Sequence, residues 1–299
     1  MKTSENTAQV FEQYRFLLFS IAYRMLGSAT DAEDIIQEAF LRWLQASAEE
    51  VRSPKAYLTT VVVRLCIDQL RERKARREVY FGSWLPEPAT QAQYQELFEH
   101  AELAESLSFA FLIMLEKLNP LERAVFLLRE IFAYDYPEIA EIVGKSEANC
   151  RQVLHRAHQH LGERQPRYEV SPEQQERITD QFLRASASGD MQGLLNLLTD
   201  DIMLVTDGGG KVRAMPRPIY GPAKVARGFF GVLRKAPPGL DIQRGEVNGQ
   251  PAVLAYQDGH LYSVLLLELS GERIRRLYLV VNPEKLRWLD RVLGARDGS

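Results

Sequence analysis

The sequence predicts a multidomain chain in which two all-α domains, the second with a helix-turn-helix, precede an α+β domain. Three observations predict it. Apolar residues recur at three- and four-residue spacing from Phe11 to about Arg77 and again from about Phe109 to Gly162. Between these stretches lies an acidic segment marked by prolines. Beyond Pro172 the pattern changes in kind, from helical spacing to short or alternating apolar runs separated by Gly, Asp and Asn.

In the first stretch Gly27-Ser28 interrupts one helical run, and Ser53-Pro54 opens another with proline at a first helical position, where its missing N–H is not needed. Asp31, Asp34, Glu38 and Arg42 fall along one helical face, with Ile36, Phe40, Trp43 and Leu44 opposite. From Arg52 to Arg77 basic residues outnumber acids, whereas Glu78 to Glu116 contains no Lys or Arg. That contrast separates a cationic helix from an acidic linker. The linker begins Gly82-Ser-Trp-Leu-Pro-Glu-Pro88, whose two prolines exclude regular helix.

In the second stretch Pro137 to Leu161 reads as two helices joined by a tight turn at Gly144, with Ser146 placed to cap the second. Cys150, Val153, Leu154, Ala157 and Leu161 make one apolar stripe. Glu147, Arg151, Gln152, His155 and Arg156 project from the other side, able to reach base edges and phosphates in a major groove. An amphipathic hairpin with a merely solvated face would carry the same pattern. His155, His158 and His160 do not share a face, and Cys66 and Cys150 have no CxxC or His partner at metal spacing. Reduced buried thiols, no metal and no cofactor are expected.

The third part starts with helices near Pro172 to Ser186 and Met191 to Leu198. Apolar runs at 202–206, 251–256, 261–269 and 274–281 follow as antiparallel strands, and a helix from Pro283 to about Leu293 closes the chain. Asp207-Gly-Gly-Gly-Lys211 comes directly after the first of these strands. Its glycines permit positive φ and suit either a plain turn or the close approach of another backbone.

The net charge of −3 argues mildly against a free-standing nucleic-acid binder, which normally carries a basic excess. No apolar run approaches the roughly 18 residues that span a bilayer, and the first ten residues lack a signal-peptide layout. A cytoplasmic protein without membrane contact is expected.

The run from Ser53 to Arg77, with Ile67-Asp-Gln-Leu-Arg71 inside it, resembles the promoter-melting helix of extracytoplasmic-function sigma factors. The helix from Asp31 to Leu44 resembles that family's clamp-binding helix, and Leu118-Asn-Pro-Leu-Glu-Arg-Ala-Val-Phe126 resembles the lead-in to its helix-turn-helix. The extension resembles the SnoaL-like domains of the ketosteroid-isomerase superfamily, an α+β cone with a pocket. Trp84-Leu-Pro-Glu-Pro88, Asp207 to Lys211 and Asn282-Pro-Glu-Lys-Leu286 together resemble the subgroup of these sigma factors that carries such a domain fused at its end.

The resemblance implies a sigma-2 domain at 7–78, a linker at 79–107, a sigma-4 domain at 108–163 and a SnoaL-like regulatory domain at 172–293. It implies RNA polymerase core (β′ clamp and β flap) and promoter DNA as partners, no catalysis, and a monomer when free. By the same resemblance Asp31, Asp34, Gln37, Glu38 and Trp43 lie on or behind the polymerase-docking surface. Tyr57, Thr60, Arg64, Asp68 and Arg71 match the place where the minus-10 element is melted and a base captured. Arg73, Lys74, Arg76 and Arg77 add cations, and Arg64 stands where many members carry Asn. Ser146, Glu147, Asn149, Arg151, Gln152, His155 and Arg156 match the minus-35 reading helix.

Control within the chain is expected from a contact of the C-terminal domain with the sigma domains or the linker, with Trp84, Leu85, Pro86, Glu87, Pro88, Asp207, Gly208, Gly209, Gly210, Lys211, Asn282 and Pro283 as the interdomain residues and Trp84 as the apolar anchor. The cone leaves room for a small-molecule ligand, for which Asp207, Arg213, Tyr256, Asp258, His260 and Tyr262 are the available polar groups. The alternative is a polymerase-independent helix-turn-helix regulator with a small-molecule-sensing or enzymatic C-terminal domain.

Overall fold

The computed structural model describes residues 2–46, 51, 53–76, 82–90, 107–162 and 170–294. Arg77 and the acidic stretch 91–106 lie outside them. The chain divides into two compact units, one drawn from Met1–Val79 and Tyr94–Arg164, the other from Tyr80–Gln93 and Gln165–Ser299. Residues 82–90 therefore belong with the C-terminal part of the chain, although they lie between the two helical stretches in sequence.

The first unit starts with α1 (Lys2–Leu26), α2 (Ala29–Gln45) and α3 (Pro54–Arg76). Gly27 adopts φ +64°, and Ser28 caps α2 by accepting from the Asp31 N–H at 3.1 Å. Ala29, Ala32, Ile35, Ile36, Ala39 and Trp43 form the buried stripe of α2. Leu44, expected on that stripe, is instead 45 % exposed, because one helical step of about 100° past Trp43 carries it onto the outer side.

Next come α4 (Phe109–Leu115) and α5 (Pro120–Phe126), which passes into a π turn at Leu127–Ile131, then α6 (Tyr136–Val143) and α7 (Glu147–Leu161). Asn119 with Glu122, and Asp135 with Glu138, form capping boxes that start α5 and α6. Gly144 terminates α6 at φ +66°.

Two arginines tie the α1–α3 and α4–α7 halves together, each by capping a helix end that belongs to the other half. Arg123 on α5 donates to the carbonyl of Met25 near the end of α1 at 2.7 Å. Arg64 on α3 donates to the carbonyls of Ile142 (3.0 Å) and Glu141 (3.2 Å) in the last turn of α6. A cation at these unsatisfied carbonyls meets both their hydrogen-bonding capacity and the negative end of the helix dipole.

Between the two halves, Thr59 Oγ1 and Tyr134 Oη share a buried hydrogen bond of 3.1 Å. The guanidinium of Arg24 is buried against Ser20 and lies 5.5 Å from the Phe132 ring centroid. Desolvation pushes its pKa down to about 9. Burial likewise pushes the Cys66 and Cys150 thiols up, and both cysteines are free and buried.

The second unit holds α8 (Pro172–Ser188) and α9 (Met191–Leu197) and then a mixed six-stranded sheet. The strands are β1 (Leu198–Asp207), β2 (Ile219–Tyr220), β3 (Asp241–Val247), β4 (Gln250–Gln257), β5 (His260–Ser270) and β6 (Arg273–Val280). The remaining helices are α10 (Pro222–Leu233), between β2 and β3, and α11 (Pro283–Gly294).

The strand order is β2-β1-β6-β5-β4-β3, and every neighbouring pair is antiparallel except β1–β6. That parallel pair corrects the all-antiparallel expectation. No hairpin joins β1 to β6, so the long intervening chain leaves their relative direction free. Val253, Leu265, Leu267, Leu277 and Leu279 alternate along β4–β6 and pack with Ile178, Phe182 and Ala185 of α8 and Val225, Ala226 and Phe229 of α10. The Phe182 and Phe229 rings, 5.1 Å apart, fill the space between sheet and helices. On another side, α11 packs on β5.

Candidate functional site

On α2, Asp34 and Gln37 are exposed, while Glu38 pairs with Arg42 at 2.9 Å. Trp43 lies behind that surface: it is 8 % exposed, its indole N–H donates to the Thr7 carbonyl at 2.8 Å, and its ring stands 5.8 Å from Tyr57. Asp31 faces α3. There it accepts from Gln69 at 2.7 Å and pairs with Arg73, whose guanidinium also donates to the Leu26 carbonyl at 3.2 Å. In this conformation neither Asp31 nor Arg73 offers a free charge.

Along α3, Thr60 Oγ1 donates to the carbonyl of Ala56 at 2.8 Å, and Asp68 and Arg71 pair with each other at 3.1 Å on an exposed face. Arg64 is committed to the end of α6. Lys74 and Arg76 occupy the last turn of the helix. Of the residues expected around a captured base, Tyr57 and Arg64 are held by neighbours while Asp68 and Arg71 stand in solvent.

Helix α7, the one expected to read DNA, is capped by Ser146, which accepts from the Asn149 N–H at 3.3 Å. Arg151, Gln152, His155 and Arg156 are exposed, and Cys150, Val153, Leu154 and Ala157 are buried. Arg151 pairs with Glu147 at 3.0 Å and stacks 4.6 Å from the Tyr136 ring centroid, which fixes one end of this cationic row. The three histidines have three different partners: His155 meets Gln159 (3.1 Å), His158 Glu130 (3.7 Å) and His160 Glu122 (3.0 Å).

In the second unit the expected linker contact centres on Asp207, which is fully buried. Its Oδ2 accepts from the Leu85 N–H (2.8 Å) and the Lys285 ammonium (2.7 Å), its Oδ1 from the Gly209 N–H (2.9 Å), and its carbonyl from the Val281 N–H (2.9 Å). Lys285 also donates to the Leu85 carbonyl and lies 4.5 Å from the Trp84 ring centroid. Four residues on from Leu85, the Ala89 N–H donates to Asn248 Oδ1 (2.9 Å) and the Ala89 carbonyl accepts from the Asn248 N–H (2.7 Å). Pro86 and Pro88 hold the chain extended between these two attachments, a span of about 12 Å at about 3.1 Å per residue. No ordering entropy is spent on their φ angles.

Leu85, Pro86, Glu87, Pro88 and Ala89 are all buried, whereas Trp84 is only half-buried. The expected aromatic anchor is thus a platform for the Lys285 cation, and Leu85 is the apolar anchor. Its side chain is buried and its backbone is held on both its N–H and its carbonyl.

The glycines of the loop are required by contacts. A Cβ on Gly209, at φ +59°, would overlap the Asn282 side chain, and one on Gly208 would meet the Val212 carbonyl at 2.5 Å. Gly210 is also left-handed, at φ +70°. Asn282 accepts from the Glu284 N–H at 3.1 Å, and Pro283 opens α11, which places Lys285 in the first turn of the helix. Lys211 does not reach the linker segment; it pairs with exposed Glu284 at 3.3 Å.

Sequence reasoning missed Lys285 and Asn248. Lys285 sat inside a motif already singled out, and a cation aimed at a buried Asp was its available signal. Asn248-Gly249 reads as an ordinary hairpin turn, and its second use is visible only in the fold.

The expected pocket groups do not gather at one place. Asp258 and His260 flank the exposed β4–β5 turn, where His260 pairs with Asp290 at 3.2 Å. Arg213 is exposed in the loop after β1, and Asp207 is committed to the linker segment.

Residues 10–76 match the family model of sigma-70 region 2, and residues 108–161 match that of sigma-70 region 4. The ECF RNA polymerase sigma factor SigJ of Mycobacterium tuberculosis is 34 % identical over 286 residues, covering 92 % of this chain and 91 % of SigJ. This chain belongs to the ECF sigma factors. The probable ECF RNA polymerase sigma factor SigI of the same species is 31 % identical over 297 residues, 98 % of this chain and 99 % of SigI. The crystal structure of SigJ superposes with a TM-score of 0.73 at 32 % identity, covering 95 % of this sigma factor and 98 % of SigJ. Its α1–α3 half is region 2, its α4–α7 half is region 4, and the sheet-containing unit has the SnoaL-like α+β fold. Among the described residues no helix is long and apolar enough to cross a membrane.

Proposed function

We propose that this sigma factor directs RNA polymerase to a specific set of promoters and that its SnoaL-like unit controls it from within by seizing linker segment 82–90. The observation that carries the second half is the double attachment of that segment, at Asp207 with Lys285 and at Asn248. Residues 82–90, gripped in this way, are not available to span regions 2 and 4.

Extension is what promoter recognition requires. The minus-10 and minus-35 elements stand roughly 25 base pairs apart, about 85 Å at 3.4 Å per base pair. A compact body of roughly 150 residues has a radius of gyration of only about 15 Å. With regions 2 and 4 packed together, the first unit has the form of a closed state, and the two arginine caps are its catches.

In the open state Asp34, Gln37 and Glu38 would meet the polymerase β′ clamp with Asp31 and Trp43 supporting them, and region 4 would meet the β flap. Tyr57, Thr60, Arg64, Asp68 and Arg71 would hold the melted minus-10 element, the cations from Arg73 to Arg77 its phosphates, and α7 from Ser146 to Arg156 the minus-35 element. The polymerase performs the chemistry, so this chain acts without a catalytic residue of its own. It works in the cytoplasm and as a monomer when free.

Transcription from a promoter library, with core polymerase and either the full chain or a version ending at Arg164, tests both halves. Full-length protein should start transcripts, and truncation should change their amount several-fold. Absence of both transcripts and core binding defeats the sigma reading. Equal activity and equal core affinity of the two versions defeat internal control. Tight operator binding by the chain without polymerase would favour the independent repressor.

A narrower prediction concerns Arg64 alone. Arg64→Ala removes two hydrogen bonds to the end of α6 from an exposed guanidinium, together worth about 1.5–3 kcal/mol at most. Amide exchange around residues 140–145 should quicken by at least about tenfold, the equivalent of about 1.4 kcal/mol. Unchanged exchange there would show that Arg64 is not a catch.

A further inference from the structure

From Gly208 to Leu240 the sequence contains seven Lys and Arg and no Asp or Glu, in a chain whose net charge is −3. Lys211 pairs with Glu284. Arg213, Arg217, Lys224, Arg227, Arg234 and Lys235 are exposed, and among the described residues none of them pairs with a carboxylate.

The fold gathers them. Thr206 Oγ1 accepts from the Met215 N–H (2.8 Å) and donates to its carbonyl (3.2 Å), so the loop is pinned midway between Arg213 and Arg217. Met215 then lies beside Gly228 of α10. Helix α10 buries Val225, Ala226 and Phe229 and turns Lys224, Arg227, Gly231 and Arg234 outward at i, i+3, i+7 and i+10. Tyr220, 62 % exposed, stands on β2 just before this helix.

Two features run against the helix's own stability. Lys224 and Arg227 sit towards its N-terminal end, where the macrodipole disfavours cations, and no acid occupies the first turn. Gly231 lies mid-stripe with nothing within 4 Å of an added Cβ, so no internal packing demands a glycine at that costly position. Local rules broken without internal compensation point to a partner outside the chain.

We propose that the loop 208–218 and the outer face of α10 form a docking surface for the phosphate backbone of duplex DNA. This places on the SnoaL-like unit a DNA contact separate from those of regions 2 and 4. The choice of DNA rests on the sigma-factor reading above, since promoter DNA is the polyanion to which that activity brings this unit. The chemistry fits: unpaired cations release counterions on meeting phosphates, the Tyr220 hydroxyl can donate to a phosphate oxygen, and Gly231 lets a backbone come close. No base-reading role is implied.

The test titrates the full-length chain with a fluorescent duplex of roughly 30 base pairs of mixed sequence, starting at about 50 mM salt. Lys224→Glu with Arg227→Glu should weaken binding at least about tenfold and lessen the salt slope by about 2, at about 0.9 per phosphate contact. Acids near the start of α10 suit its dipole, so melting should stay level or rise. A control, Arg151→Ala with Arg156→Ala on α7, should weaken binding independently, so the two losses multiply.

Unchanged affinity and salt slope in the α10 variant would overturn the proposal. So would no duplex binding by the wild type at low salt, or a loss confined to core-polymerase binding, which would mark a polymerase contact instead. If the wild type transcribes while the α10 variant keeps its salt slope, only this inference fails. If the wild type neither transcribes nor binds core, the sigma reading itself fails.

Discussion

Replacing Asp207 by Ala should destabilise the SnoaL-like unit by about 3–5 kcal/mol, the range for breaking a buried ion pair from one side. The carboxylate serves the linker segment, the glycine loop and α11 at once, through Leu85, Gly209 and Lys285. Without it the Lys285 ammonium, 13 % exposed, loses its anion, and the buried Leu85 N–H loses its acceptor. Urea unfolding gives the size of the effect, and amide exchange at Leu85 and Ala89 gives its location. Adding Lys285→Met should recover part of the loss, because the unpaired cation is then gone. A drop below about 1 kcal/mol, or protection of Leu85 as strong as before, would mean that the carboxylate is not what seats the segment.

Arg123→Ala should cost a comparable amount, about 3–5 kcal/mol, in the helical unit. Its guanidinium is 3 % exposed, pairs with Glu116 at 2.9 Å within region 4 and caps α1 of region 2 at Met25. One substitution thus strikes the core of region 4 and the junction with region 2 together. Arg64→Ala strikes the junction alone. Melting followed by circular dichroism should separate them, with a large shift for Arg123→Ala and a small one for Arg64→Ala. Equal shifts would contradict the division of labour between the two caps.

Much of this could be read from residues in order. Gly144 and Ser146 mark the turn and cap of the helix-turn-helix because only certain residues tolerate those backbone states, and the four strands with alternating apolar positions announce themselves. The Trp84 and Asp207 motifs, far apart in sequence, meet in the fold through Leu85. What escaped was whatever local pattern does not encode.

Strand β3 lies at a sheet edge and its first four residues are exposed, so Asp241–Val247 shows no clean alternation. Helix α10 carries Gly228 and Gly231 and is flanked by prolines, which weaken its helical signal in the sequence. The arginine caps were illegible because a helix end does not specify which distant cation completes it. Trp84 was overrated as an anchor for a related reason: aromatic size suggests burial, but the chain places its backbone, not its largest side chain, at the deepest point.

The seat of Leu85 is built partly by Lys285, 200 residues later in the chain. On a ribosome adding about 5–20 residues per second, Leu85 precedes Lys285 by about 10–40 s. Regions 2 and 4 are therefore made before the residues that seat segment 82–90, and every nascent chain passes through an interval in which that segment has no seat. A premature stop anywhere between Arg164 and Lys285 would make that interval permanent, leaving regions 2 and 4 made and the seat of segment 82–90 unbuilt.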